Sequence, residues 1–205
     1  SNIVTPPEEL ATIRHVFLNC RREDRAGLSV LPAERHGGAL AAQHLIDLGC
    51  QCIATITGDP WQFATRERLA GYHRALNSAE LNLGPNFERS SDWGHSSGYA
   101  AAIELLRRSE RPDGLFCHND IIARGALEAA QELGFKVPED LAIIGYDDRE
   151  FAKDMGITSV TLPYAEMAER ALVELAKGGS LNDRVISVSG RLIVRKSSDR
   201  GLFKS

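Results

Sequence analysis

The sequence predicts an α/β fold built on parallel strands, on three observations. Strand-like apolar runs alternate with amphipathic helical stretches almost from end to end. The runs are apolar throughout, as expected of strands covered on both faces. Glycine follows the helical stretches at positions 49 and 134, where a left-handed residue commonly ends a helix.

The elements follow in order. His15-Val16-Phe17-Leu18 is a short apolar run ending in polar Asn19-Cys20-Arg21-Arg22. Leu40, Ala41, Leu45 and Leu48 share a face, which predicts a helix over 37–48. Residues 52–57 (CIATIT) read as a strand, and Gly58-Asp59-Pro60 as its turn. Leu69, Tyr72, His73 and Leu76 align on a helix over 65–77, and a loop with Gly84-Pro85 follows. Tyr99, Ala102, Ile103 and Leu106 predict a helix over 98–107. Leu115-Phe116-Cys117 is a short buried strand, 121–133 a helix and 141–146 (LAIIGY) a strand. A helix over 164–177 is expected to bury Met167, Ala168, Ala171, Leu172 and Leu175. Residues 185–195 have β character around Gly190. No internal repeat, low-complexity tract or long linker interrupts the pattern.

Bulk properties narrow the function. With 205 residues, 43% of them hydrophobic, the chain is long enough for one or two cores. A net charge of −4, with no basic face and no nucleic-acid-reading motif, argues against direct DNA binding by this stretch. No apolar run approaches the roughly 20 residues that span a bilayer. Cys20, Cys50, Cys52 and Cys117 form neither a C-x-x-C site nor a disulfide framework. They read as buried or edge thiols in a reducing cytoplasm. The Ser1-Asn2 start carries no basic n-region or apolar h-region of a secretory signal.

In an open parallel sheet, ligands bind outside the carboxyl ends of the strands. Those ends carry Asn19; Gly58-Asp59-Pro60-Trp61-Gln62; His118-Asn119-Asp120; and Asp147-Asp148. Trp61 and Trp93 lie in loops within reach of the same edge. Amides and carboxylates that accept from hydroxyls, an arginine fork and an indole face are the chemistry of polyhydroxyl recognition. Each residue also has a plainer reading. Asp120 reads as the N-cap of the following helix, Asp148 as a turn residue, Arg66 and Glu67 as a solvated face, and Trp93 equally well as a packing residue.

Several stretches then resemble one family. Gly37-Gly38 with Ala41-Ala42-Gln43-His44-Leu45 and Leu48-Gly49 resembles its G-x-x-A-x-x-H-L-x-x-L-G helix, and Arg66-Glu67-Arg68-Leu69-Ala70-Gly71-Tyr72 its R-x-R-x-x-G-aromatic helix. His118-Asn119-Asp120 with Gly125-Ala126-Leu127, then Val137-Pro138-Glu139-Asp140, Ile144-Gly145-Tyr146-Asp147-Asp148 and Ile157-Thr158-Ser159-Val160, follow in the family's order, and Arg191-Leu192-Ile193-Val194-Arg195 resembles its closing strand. The likeness, spanning about Ile3 to Ser198, is to the effector-binding core of lactose/galactose-repressor regulators. It implies two Rossmann-like subdomains of periplasmic-binding-protein type, joined by crossing strands around a cleft. It further implies effector contacts from Asn19, Gln62, Arg68, Trp93, Asn119, Asp147 and Tyr164, with Ala64 as a smaller lining group. Leu162 departs from the polar residue found in some sugar-sensing members.

The expected partners are a small effector, a sugar before a nucleoside or purine, and a second copy of the chain. Operator DNA is expected only through a helix-turn-helix headpiece outside this stretch. The resemblance divides the chain into a partial N-terminal subdomain (1–87), a C-terminal subdomain (88–150) and a return with closing strands (151–205). The N-terminal subdomain is expected to be incomplete, with an unpaired sheet edge covered by a second chain. Two other readings stay open. A transport solute-binding protein shares the fold but needs a secretory signal. An enzyme is invited by His118, Asp147 and Asp148, yet no G-x-S-x-G, P-loop or G-x-G-x-x-G is present. Asp59, Asp120, Asp147 and Asp148 lack the spacing of a dedicated cation loop, so neither metal nor cofactor is expected.

Overall fold

The computed structural model describes residues 2–24, 26–81, 84–178 and 181–201. The chain opens with β1 (Asn2–Val4), a 3-10 turn at Glu8–Thr12, β2 (Phe17–Leu18), β3 (Cys20–Arg22) and β4 (Leu28–Pro32). It continues through α1 (Glu34–Asp47), β5 (Ile53–Thr57), α2 (Phe63–Ser78), β6 (Glu88–Ser90), α3 (His95–Leu106) and β7 (Gly114–Cys117). Then come α4 (Asp120–Glu132), β8 (Ala142–Asp147), α5 (Glu150–Asp154) and β9 (Thr158–Thr161). The last elements are α6 (Tyr164–Ala176), β10 (Arg184–Val188) and β11 (Leu192–Ile193).

The larger sheet has the order β11-β9-β8-β7-β5-β6 and is parallel except for β11. The chain runs outward from β5 to β6, then returns to the other side of β5 for β7, β8 and β9. That reversal is a topological switch point between β5 and β7, where diverging loops leave a crevice at the carboxyl edge. Both faces are covered, which explains the continuously apolar strands. On β7, Leu115 and Cys117 face α3 and α4, while Phe116 faces α1 and α2. On β8, Ile143 joins the first face and Ile144 and Tyr146 the second. The helices end as expected at Gly49 and Gly134, with φ of 80° and 77°, a region where a side chain is costly.

A smaller parallel sheet has the order β10-β4-β2, and β1 pairs with β3 alone. Helix α6 lies on the smaller sheet through Met167 and Ala171, packed with Val30 and, at its edges, Val16, Ile186 and Val188. The chain passes between the two sheets three times: at Ala33, at Leu162–Pro163 and between β10 and β11.

Three expectations need correction. A break at 87/88 falls inside the larger sheet, because β5 pairs with both β6 and β7. The units are instead drawn by the crossings: residues 34–161 with β11 build the larger sheet and its helices, and the chain before and after builds the smaller. Strand β4, which the reading of local patterns passed over, is the buried centre of the smaller sheet. Leu172, expected inside, is 64% exposed, because α6 meets a narrow sheet with a stripe only as wide as Met167 and Ala171. Met167 and Leu172 make a contrast. Met167→Ala should destabilise by about 2–5 kcal/mol through the lost burial and residual cavity. Leu172→Ala should stay within about 0.5 kcal/mol of the parent. Urea unfolding checks both, and equal losses would contradict the packing of α6.

Candidate functional site

The crevice between the two sheets holds a cleft of about 220 Å³, lined by Asn19, Glu34, Gln62, Ala64, Arg68, Trp93, Asn119, Asp147, Arg149, Leu162 and Tyr164. All seven residues expected at a ligand site therefore meet at one place. Asn19 comes from the turn between β2 and β3, and Gln62 precedes α2. Trp93 precedes α3, Asn119 precedes α4 and Asp147 ends β8. Tyr164 starts α6 after the second crossing and is half exposed. Trp61, a second aromatic near the edge, is 72% exposed and lies outside the lining. A larger hollow of about 530 Å³ lies beside α2, and its His73 and Glu88 pair with each other at 2.6 Å.

Arg68 is the centre of the cleft floor. Its side chain is only 4% exposed, so its charge must be met from within. Nε donates to Glu34 Oε2 at 2.7 Å, and Nη1 donates to the His118 carbonyl. Nη2 lies 3.7 Å from Asp147 Oδ1. The guanidinium carbon sits 3.5 Å from the Tyr146 ring centroid and 5.7 Å from that of Trp93, so aromatic faces cover it as well. Burial works against the Glu34 charge, yet Arg68 outweighs it and holds the carboxyl below its ordinary value. Asp147 is moved the other way: burial raises it, and Arg68 with Arg149 recovers only part. Asp147 Oδ2 faces Arg149 Nε at 3.5 Å.

Backbone strain gathers at the same edge. Asn19, Trp93, Asp147 and Asp148 have φ of 55°, 68°, 96° and 54°, a region that non-glycine residues rarely occupy. Neighbouring hydrogen bonds hold them there. The Asn19 N–H donates to the Val30 carbonyl at 2.9 Å, and the Asp148 N–H to the Ser159 hydroxyl at 3.0 Å. Asn119 Nδ2 donates to the Trp93 carbonyl at 3.1 Å. Trp93 also packs over Gly58, where any Cβ would fall 1.9 Å from the indole. Its packing and lining roles therefore coexist.

The N-cap of α4 is Asn119, whose Oδ1 accepts from the Ile122 N–H at 2.7 Å. Asp120, expected to be that cap, is instead a fully buried brace: it accepts from the Ser159 hydroxyl at 2.7 Å and the Arg149 N–H at 2.7 Å. Asp148 pairs with Arg195 at 2.7 Å. Glu67 is tied to Arg35 by two bonds of 3.0 Å. His118 is fully buried against Phe116, and burial together with Arg68 drives its imidazole well below the ordinary value, so it stays neutral. The four cysteines are free thiols, Cys50 and Cys117 buried and Cys20 and Cys52 half-buried.

Two lining residues were missed. Glu34 opens α1 two residues after β4, so the strand-end rule reaches it once β4 is recognised. Arg149 follows Asp147-Asp148 at the end of β8, where the signal was already in view.

The profile of the periplasmic binding protein-like domain matches residues 42–198. The chain belongs to this family, in its LacI-type branch. It is 35% identical over 166 residues to the ribose operon repressor of Haemophilus influenzae, covering 78% of this chain and 50% of that protein. It is 32% identical over 173 residues to the HTH-type transcriptional repressor PurR of Aliivibrio salmonicida, covering 82% of this chain and 52% of the relative. A sugar-binding LacI-family regulator from Escherichia coli, solved with phosphate, superposes with a TM-score of 0.80 at 30% identity, over 95% of this chain and 75% of its own. This LacI-type chain thus spans about half the length of those two repressors. Among the described residues, no helix is long and apolar enough to cross a membrane.

Asp120 gives the site a pH signature. Burial pushes its carboxyl up to about 6, against the Ser159 and Arg149 hydrogen bonds. Its folded value lies above its unfolded one, so its stabilising contribution is present below about pH 4 and is lost as pH rises through about 6. Asn in its place keeps the protonated pattern at every pH: the amide oxygen accepts from the Arg149 N–H, and the NH2 donates to the Ser159 oxygen. Relative to the parent, Asp120→Asn should therefore gain stability by up to about 3 kcal/mol between about pH 4 and pH 7. A difference in urea stability that does not change with pH would contradict this assignment.

Proposed function

We propose that this LacI-type chain is the effector-sensing part of a DNA-binding transcription regulator, and that its ligand is a small hydroxyl-rich molecule, a sugar or sugar derivative. The observation that carries the reading is the convergence of Asn19, Gln62, Arg68, Trp93, Asn119, Asp147 and Tyr164 on one cleft between two sheets. Amide and carboxylate oxygens accept from vicinal hydroxyls, Arg68 and the amide groups donate, and the Trp93 indole supports an apolar ring face. The regulator reading is preferred over transport because relatives at 32–35% identity are repressors.

Binding acts through differential affinity. A ligand touching Asn19 and Tyr164 from the smaller sheet, and the other five from the larger, favours one relative placement of the two sheets. That placement is passed to a DNA headpiece carried elsewhere in the full protein. No covalent step is required, and the protein works as a homodimer in the cytoplasm, with the second copy covering apolar surface around the smaller sheet.

The test is a thermal-shift screen of pentoses, hexoses, polyols and nucleosides, because a ligand that binds only the folded state raises the midpoint. A hit is then titrated by calorimetry. Asp147→Ala should weaken that ligand by about 2–5 kcal/mol in a protein that still folds, since its polar partners are left without their acceptor. Unchanged affinity in Asp147→Ala would overturn the site; a screen won by nucleosides would overturn the sugar assignment.

A further inference from the structure

Glu34 belongs to no part of the ligand reading above, yet it is a buried carboxylate on the cleft wall, 2% exposed. Its oxygen takes the Nε–H of Arg68. The Nη1 prong goes to the His118 carbonyl, the guanidinium faces are covered by Tyr146 and Trp93, and the Nη2 edge looks toward Asp147. An arginine recognises a phosphate or carboxylate with two parallel N–H donors from one edge. Here the Nε and Nη1 donors are already committed, and a carboxylate flanks the guanidinium on both its Nε and its Nη2 sides. The second cation of the cleft, Arg149, is likewise paired with Asp147 at 3.5 Å. Two cations and two carboxylates therefore cancel on the cleft wall.

We propose that Glu34 is a specificity-determining residue: by occupying Arg68 it excludes phosphorylated and carboxylated ligands from the cleft and reserves it for neutral, hydroxyl-rich ones. This rests on reading the cleft as the effector site, and it adds a rejection element to the attractive contacts. An incoming anion meets Glu34 and Asp147 at short range, and must give up its hydration for a guanidinium that already donates through Nε and Nη1. A neutral polyol avoids this repulsion, using the unoccupied N–H groups of Arg68 and the acceptors around them.

The probe is inorganic phosphate, so the experiment does not depend on knowing the effector. Trp61→Phe leaves Trp93 as the sole tryptophan, a reporter at the cleft. In that background, Glu34→Gln should bind phosphate about tenfold or more tightly than the Glu34 parent, read as a change in Trp93 emission at constant ionic strength. Phosphate should also raise the unfolding midpoint of Glu34→Gln, and sodium chloride at matched ionic strength should not. The midpoint keeps the test valid if the variant is too unstable for titration, since phosphate then acts as the missing counter-charge. Glu34→Gln combined with Arg68→Gln removes the cation and should show neither effect. Phosphate that binds the parent as tightly as the variant overturns the proposal, as does a Glu34→Gln protein that phosphate neither binds nor stabilises. Either failure leaves intact a sugar found in the screen above, and a failed sugar screen leaves the phosphate comparison intact.

Discussion

The cleft is organised around one buried cation. Arg68 cannot shed its proton, and an arginine removed from water must find its partners inside the protein. It finds them on elements far apart in sequence: Glu34 at the start of α1, the His118 carbonyl just past β7, and Tyr146 and Asp147 at the end of β8. Satisfying that charge therefore pins two helices and two strand ends into a single arrangement. A buried pair of this kind contributes little net stability, but losing one member costs about 3–5 kcal/mol. The floor of the cleft is accordingly set before any ligand arrives.

The rim is built on a different principle. Asn19, Trp93 and Asp147 each line the cleft from a left-handed backbone position, where side chains are uncommon. Such positions cost about 1–3 kcal/mol each and persist where surrounding structure over-determines them. Here that structure is visible: Val30 holds Asn19, Asn119 and Gly58 hold Trp93, and the Asp120–Ser159 pair holds the turn after Asp147. The strain lies where the sheet order reverses and the loops diverge, as the switch-point rule leads one to expect. Asp120 shows how support and lining divide the work. It does not line the cleft itself, yet it fixes the backbone of Arg149, which does.

Much of this was legible in local pattern. The alternation of apolar runs and amphipathic helices, the glycine stops at 49 and 134, and polar residues after each recognised strand all depend on neighbours within a few positions. Resemblance then selected seven residues, and the tertiary structure gathers all seven. What escaped had specific causes. Strand β4, with its Ser29 and Pro32, does not announce itself, and Glu34 was lost with it. Asn119 and Asp120 are adjacent and equally able to cap, and only backbone geometry assigns the cap to Asn119. Leu172 has the spacing of a core residue, but the sheet beneath α6 is too narrow to cover it.

The sequence by itself determined the α/β class, the positions of most elements and the set of polar groups delivered to strand ends, because these follow from periodicity and short-range turn chemistry. Only the tertiary structure decided the strand order β6-β5-β7-β8-β9, the division of the chain at its crossings and the pairing of Glu34 with Arg68. Those outcomes depend on which distant strands share a sheet and on how a buried charge is neutralised. One local pattern is compatible with many pairings, and the choice among them is made by non-local burial.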